Sequence, residues 1–162
     1  FRLDASRLRP LAALPPVPGN PSPLRVVEVS EIQGKPISSV FLGSCTNGRL
    51  EDFSQAARVL RGKKVAPGVV FTAVPATREV YGQLLAEGIL SELFSAGVVI
   101  SSPGCGGCLA GQLGVTGRGE VELSTGNRNY RGKQGEGEIY LVSPLTAAVS
   151  ALTGKITSPD QM

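Results

Sequence analysis

Val40-Phe41-Leu42-Gly43-Ser44-Cys45-Thr46-Asn47-Gly48-Arg49-Leu50-Glu51-Asp52-Phe53 runs from an apolar strand through a glycine-bounded turn into an amphipathic helix. The opening residues extend a short run from Ser39 and are continuously apolar, as a strand covered on both faces of a parallel sheet should be. Gly43 and Gly48 permit backbone angles closed to other residues, and Asn47-Gly48 is a strong turn pair. Leu50, Phe53, Ala57 and Leu60 then fall at helical spacing, which predicts a helix over 50–60. Glu51 and Asp52 suit the N-terminal end of that helix through its dipole and are not read as general acids.

The same strand–turn–helix pattern repeats outward. Strands are expected at 25–29, 39–42, 69–74, 97–101, 120–124 and 138–142, and helices at 50–60, 78–86, 90–96 and 144–152. Thr77 is placed to cap the second helix, and Ser143-Pro144 reads as an N-cap followed by proline at the first helical position. Such alternation predicts an α/β domain, a three-layer αβα arrangement with a mainly parallel sheet. Residues 1–24 carry Pro10, Pro15, Pro16, Pro18, Pro21 and Pro23 and read as an extended arm or linker, leaving 25–162 as the folded domain. No internal repeat or low-complexity segment is present.

Composition narrows the function classes. The chain has 162 residues, enough for one domain with a real core, and its 41% hydrophobic and 18% charged content is that of a globular protein. Sixteen basic and 13 acidic residues give a net charge of +3, too small an excess to argue for nucleic acid. The densest basic stretch, 58–64, reads as a solvated helix end. No apolar run reaches the roughly 20 residues that cross a membrane, and no secretory signal opens the chain. Because the sequence begins at Phe1, it is expected to be a processed or excised piece of something longer. Three cysteines, an odd count, argue against a secreted disulfide framework and for a reducing, cytoplasmic setting. Histidine is absent, so any proton chemistry must use other groups or borrow a histidine from another chain.

The cysteines sit where an α/β sheet places ligands, just after strands: Cys45 after Val40-Phe41-Leu42, and Cys105 after Val98-Val99-Ile100. Gly104-Cys105-Gly106-Gly107-Cys108 puts two thiols in a loop whose glycines let backbone N–H groups turn toward sulfur. A C-x-x-C pair serves zinc, dithiol redox chemistry or an iron–sulfur cluster. A structural zinc site wants four ligands, and this chain offers three Cys and no His. A redox pair leaves Cys45 and its turn without a purpose, and three plain buried cysteines do not call for so much glycine. Three thiolates suit a cubane with one iron left open, which acts as a Lewis acid toward a substrate oxygen.

The stretch 43–52 quoted above resembles the signature of aconitase-type dehydratase large subunits. So do Val74-Pro75-Ala76-Thr77-Arg78-Glu79-Val80-Tyr81, Gly104-Cys105-Gly106-Gly107-Cys108-Leu109 and Ser124-Thr125-Gly126-Asn127-Arg128-Asn129-Tyr130-Arg131-Gly132. The similarity runs in order from about Leu11 to about Gly154, and the branch it most resembles is that of the 3-isopropylmalate dehydratase and homoaconitase large subunits. The resemblance implies the third domain of such a subunit, with a [4Fe-4S] cluster held by Cys45, Cys105 and Cys108. It implies a hydro-lyase that removes water from a hydroxy di- or tricarboxylic acid (3-isopropylmalate, or homocitrate and homoaconitate) and adds it back, in leucine or lysine biosynthesis. Asn127 matches an asparagine beside the cluster and Arg128 an arginine that binds a substrate carboxylate, a task for which a guanidinium fork is suited. Ser44 and Asn47 are expected to support the cluster from behind its ligands.

The departures matter as much. Lys133 stands where the family usually has a second substrate-binding arginine. Pro16 and Gln112 stand where relatives tend to have histidine. The family's histidine–acid pairs lie in preceding domains, and its serine base lies in a small swivelling subunit or domain. Both are expected partners, no catalytic base or acid is assigned within these 162 residues, and the chain alone is expected to be inactive. The competing reading is a degenerate or stand-alone paralogue that holds a cluster or metal without dehydrating anything.

Overall fold

The structure, a computed structural model, describes residues 2, 4–17, 25–109 and 111–161. Among the described residues, seven strands form one sheet in the order β2-β1-β7-β6-β3-β4-β5. They are β1 (Leu11–Ala13), β2 (Val26–Glu28), β3 (Ser39–Gly43), β4 (Val70–Val74), β5 (Val99–Ile100), β6 (Val121–Ser124) and β7 (Glu138–Leu141). The five strands from β7 to β5 run parallel, while β1 is antiparallel to both β2 and β7. The mixed α/β class and the mainly parallel sheet flanked by helices are therefore as expected.

Two long helices keep the bounds read from sequence: α3 (Leu50–Leu60) and α4 (Arg78–Ala86). Their starts explain why. Asp52 Oδ2 accepts from the Arg49 N–H at 3.0 Å, and Thr77 Oγ1 accepts from the Val80 N–H at 3.2 Å. The others are α5 (Ile89–Ala96) and α6 (Pro144–Thr153), the latter capped by Ser143 Oγ on the Thr146 N–H at 3.2 Å. These helices contact one another and bury Phe53, Ala57, Leu60, Leu93 and Ala147 with Val40, Leu42, Phe71, Ala73 and Leu123 from the sheet.

Strand alternation sends Phe41, Val74, Glu122 and Ser124 to the opposite face. There the covering layer is the loop from β5 to β6, which comes so near that a Cβ added to Gly114 would lie 2.7 Å from the Phe41 ring. That loop is also the long return that creates the switch point of the sheet. From β3 the chain steps outward to β4 and β5, then crosses back to β6 on the other side of β3. The carboxyl ends of β3 and β6 therefore flank the crevice where α/β sheets bind ligands.

The proline-rich arm requires a correction. Leu11–Ala13 is β1, paired Leu11 with Glu28 and Ala13 with Leu141, and Ala12 is fully buried. Pro10 and Pro15 flank the strand rather than interrupt it, so no ladder donor is lost. The sheet therefore begins before the boundary expected at residue 24; residues 18–24, with Pro18, Pro21 and Pro23, lie outside the described residues. Two short helices were also unforeseen, α1 (Val29–Ile32) and α2 (Ser44–Asn47), and β5 is shorter than the strand expected at 97–101.

Candidate functional site

The turn after β3 is built by two unusual backbone conformations. Gly43 sits at φ 135°, and a Cβ there would collide with the carbonyl oxygen of Val74. Ser44 follows at φ 61°, buried, in the left-handed region that a serine adopts only where its surroundings hold it. The single turn of α2 then presents Cys45 exposed to solvent. The turn is tied to the end of β6: the Gly43 N–H donates to Thr125 Oγ1 at 3.0 Å and Asn47 Nδ2 donates to Thr125 O at 2.5 Å. Asn47, expected to support a cluster, thus has one amide donor committed to joining the two strand ends.

The second cysteine loop folds as a 3-10 turn, Gly106–Cys108, closed by the Cys108 N–H on Cys105 O at 3.2 Å and the Leu109 N–H on Gly106 O at 3.0 Å. A Cβ at Gly107 would run into the carbonyl oxygen of Gly114. Both cysteine loops hang on the segment that follows β4. The Ala76 N–H donates to Gly48 O at 2.9 Å, and the Gly104 N–H donates to Pro75 O at 3.2 Å. All three thiols are free; Cys45 and Cys105 are exposed and Cys108 is half-buried.

A third loop, after β6, completes the edge. Asn127 and Arg128 are exposed, and neither side chain makes a hydrogen bond or ion pair among the described residues. Lys133, expected as a substrate contact, lies against the second cysteine loop. Its Nζ donates to the carbonyl of Cys108 and to Cys108 Sγ, the latter at 2.8 Å. A flexible ammonium with three donors can reach two acceptors on one residue, where a planar guanidinium would have favoured a carboxylate fork. Gln112 is exposed in the loop beyond Cys108. Pro16 lines a separate cavity of about 470 Å³ with Tyr130, Arg131 and Ile139.

One anchoring residue was missed from sequence although it lies inside a quoted motif. Asn129 is buried, and its Nδ2 donates to Leu14 O at 2.8 Å and Ile139 O at 2.9 Å, fixing the base of the Arg128 loop to β7 and to the N-terminal segment. Elsewhere on the edge, burial pushes the Asp52 carboxyl above its usual range against the lowering effect of the Arg49 N–H. Its role remains that of a helix cap.

The donor set is soft: three thiols, with no carboxylate among them. Among the described residues no three Cys, Asp or Glu side chains close round a single metal ion. A cubane asks for something different, one thiolate on each of three irons, with sulfurs spread over about 6–7 Å. Three soft donors on two loops that are anchored at one sheet edge have the donor chemistry that such a group asks for.

Comparison with known proteins gives the family. The Aconitase family (aconitate hydratase) matches residues 3–154. The 3-isopropylmalate dehydratase large subunit 2 of Pyrococcus furiosus is 48% identical over 99% of this chain and 41% of its own length. The 3-isopropylmalate dehydratase large subunit of Sulfurihydrogenibium sp. is 46% identical over 100% of the chain and 37% of its length. The homoaconitase large subunit of Thermus thermophilus is 45% identical over 99% of the chain and 38% of its length. The chain thus spans roughly two fifths of the relatives it matches. With the family match covering nearly all of its residues, the chain belongs to the aconitase family.

Proposed function

We propose that the chain is the cluster-binding part of a hydro-lyase acting on 3-isopropylmalate or on homocitrate and homoaconitate, with Cys45, Cys105 and Cys108 as the ligands of a [4Fe-4S] cluster. The observation that carries this reading is the anchoring of both cysteine loops on Pro75 and Ala76, which brings three free thiols to the crevice edge of the sheet. When bound, the cluster supplies a Lewis acid at its open iron. The remaining roles belong to side chains. Arg128, exposed and uncommitted, takes a substrate carboxylate through two parallel hydrogen bonds. Asn127 lies beside it on the same loop. Lys133 holds Cys108 by its carbonyl and sulfur, so one loop positions both the substrate arginine and a cluster ligand.

Dehydration also needs a group to take a proton from carbon and another to help the hydroxyl leave. The chain has no histidine, and Glu51 and Asp52 start a helix. Those groups come from the upstream domains and a small swivel subunit, in keeping with relatives that are named as large subunits. The purified chain, reconstituted anaerobically, should therefore bind iron and sulfide and show cluster absorption in the visible, yet turn over none of the candidate acids. Adding the missing domains and small subunit should give activity, and Cys45→Ser or Cys108→Ser should remove both absorption and activity. A reconstituted chain with no bound iron would overturn the ligand assignment, and turnover by the isolated chain would overturn the division of labour.

One observation favours the paralogue that binds a cluster but does not dehydrate: Lys133 is engaged with Cys108 and leaves the crevice one carboxylate fork short. A complete assembly that holds its cluster, stays inactive, and gains activity with Lys133→Arg would establish that second reading.

A further inference from the structure

Beneath the loop that carries Asn127, Arg128 and Lys133 lies a polar pair that the site does not use. Glu122 from β6 and Gln134 from the loop are each 1% exposed. Gln134 Nε2 donates to Glu122 Oε1 at 2.9 Å, and Ser39 Oγ lies 3.4 Å from Glu122 Oε2. Gln134 Oε1 is buried and has no donor among the described residues. From β7 the residue in register with Glu122 is Ile139, which brings no charge. The charge that acts on Glu122 is Glu120, of the same sign. Of the other charged groups of the neighbouring segments, Lys133 is engaged with Cys108, Arg118 with Glu136 and Glu138 with Lys35, while Arg128 and Arg131 are exposed to solvent.

A buried carboxylate needs a cation or several donors, and Glu122 has one amide donor and one long hydroxyl contact. The buried Gln134 Oε1 lacks a donor. A protonated Glu122 removes the buried charge, and its O–H meets the amide oxygen once the Gln134 amide is turned so that this oxygen takes the place of Nε2, 2.9 Å from Glu122 Oε1. Turned so, the amide sets two oxygens face to face, and they need a proton between them.

We propose that Glu122 stands as a neutral carboxylic acid that shares its proton with the Gln134 amide oxygen, and that this acid–amide pair fastens residues 125–137 to the sheet. Glu122 is then a positioning residue for the loop that holds Asn127, Arg128 and Lys133. The significance of that loop for substrate rests on the function proposed above; the fastening itself does not. Burial pushes the Glu122 carboxyl up to about 8, the Ser39 contact opposing and Glu120 adding to the effect. When the loop lifts and Glu122 meets water, its affinity for the proton falls toward the ordinary value of 4.5. Opening should therefore become about tenfold easier for each pH unit between roughly pH 5 and 8, and level off above.

Two measurements on the full chain test this without any turnover. Infrared difference spectra between the wild type and Glu122→Gln should show a protonated carboxyl band at pH 7 that belongs to Glu122. Amide hydrogen exchange of residues 125–137, corrected for intrinsic rates, should show the tenfold-per-unit slope in the wild type. Glu122→Gln should keep the loop protected and lose the slope, since a second amide reproduces the reciprocal pairing. Glu122→Ala should lose protection at every pH; should it fail to fold, the Gln variant and the infrared band decide the matter. An ionised Glu122 at pH 7, the same slope in Glu122→Gln, or full protection in Glu122→Ala would each overturn the proposal. Loss of cluster binding or of activity elsewhere in the protein would leave these readouts unchanged.

Discussion

Replacing Glu122 with glutamine should make the protein more stable at neutral pH, although a hydrogen-bonded residue of the interior is being changed. The reason is the pH dependence that a buried acid imposes. Folded, the carboxyl holds its proton up to about pH 8; unfolded, it releases it near the ordinary value of 4.5. Stability from this group is thus fully present below 4.5 and falls as pH rises toward about 8, because the unfolded chain gains from ionisation and the folded one does not. At roughly 1.4 kcal/mol for each pH unit, the interval amounts to about 5 kcal/mol in all, of which about 3 is lost by pH 7. Glutamine does not titrate, so that slope vanishes. Denaturant unfolding at intervals from pH 4.5 to 9 measures it directly. The two proteins should be nearly equal at the acid end, and the variant should lead by about 3 kcal/mol at pH 7. Parallel curves across that range, or a variant less stable by a constant amount, would refute the buried neutral acid.

Three other changes probe the edge of the sheet. Gly107→Ala drives a methyl group into the Gly114 carbonyl and should destabilise the chain by about 1–3 kcal/mol or more in denaturant unfolding, with faster loss of reconstituted iron. Asn129→Ala removes donors to Leu14 O and Ile139 O and leaves buried carbonyls unpaired; a loss of about 2–3 kcal/mol is expected, with amide exchange rising first in β1 and β7. Lys133→Met keeps the length of the side chain but not its donors. Loss of roughly 1 kcal/mol of support for the Cys108 loop should speed capture of reconstituted iron by a chelator about fivefold, while unfolding midpoints shift little.

What could be read from sequence was what is local. α3 and α4 kept their expected bounds because each begins with a cap that can be seen within four residues, Asp52 on Arg49 and Thr77 on Val80. The cysteines were placed correctly after β3 and beyond β5 because apolar runs and glycine turns are short-range signals. Leu11–Ala13 escaped notice because a three-residue strand between prolines has no period to detect, and its pairing with Leu141 spans most of the chain. The contact of Lys133 with Cys108 is not legible in sequence, because Cys108 lies on a different loop and only the fold joins them. Glu122 alternates with Val121 and Leu123 as a solvent-facing residue would; nothing nearby in sequence tells that a loop roofs that face.

The pair of contacts made by Pro75 and Ala76 has a geometric consequence. The oxygen that receives the Gly104 N–H and the hydrogen given to Gly48 O belong to one peptide group, the amide joining residues 75 and 76. That unit is planar, and no soft torsion separates its two ends. The two thiol-bearing loops are therefore held apart by a spacer of fixed length, pointing opposite ways from a single rigid plate. Side chains can repack around it and the loops can breathe, but their points of attachment, Gly48 O and Gly104 N, keep their spacing for as long as both hydrogen bonds stand.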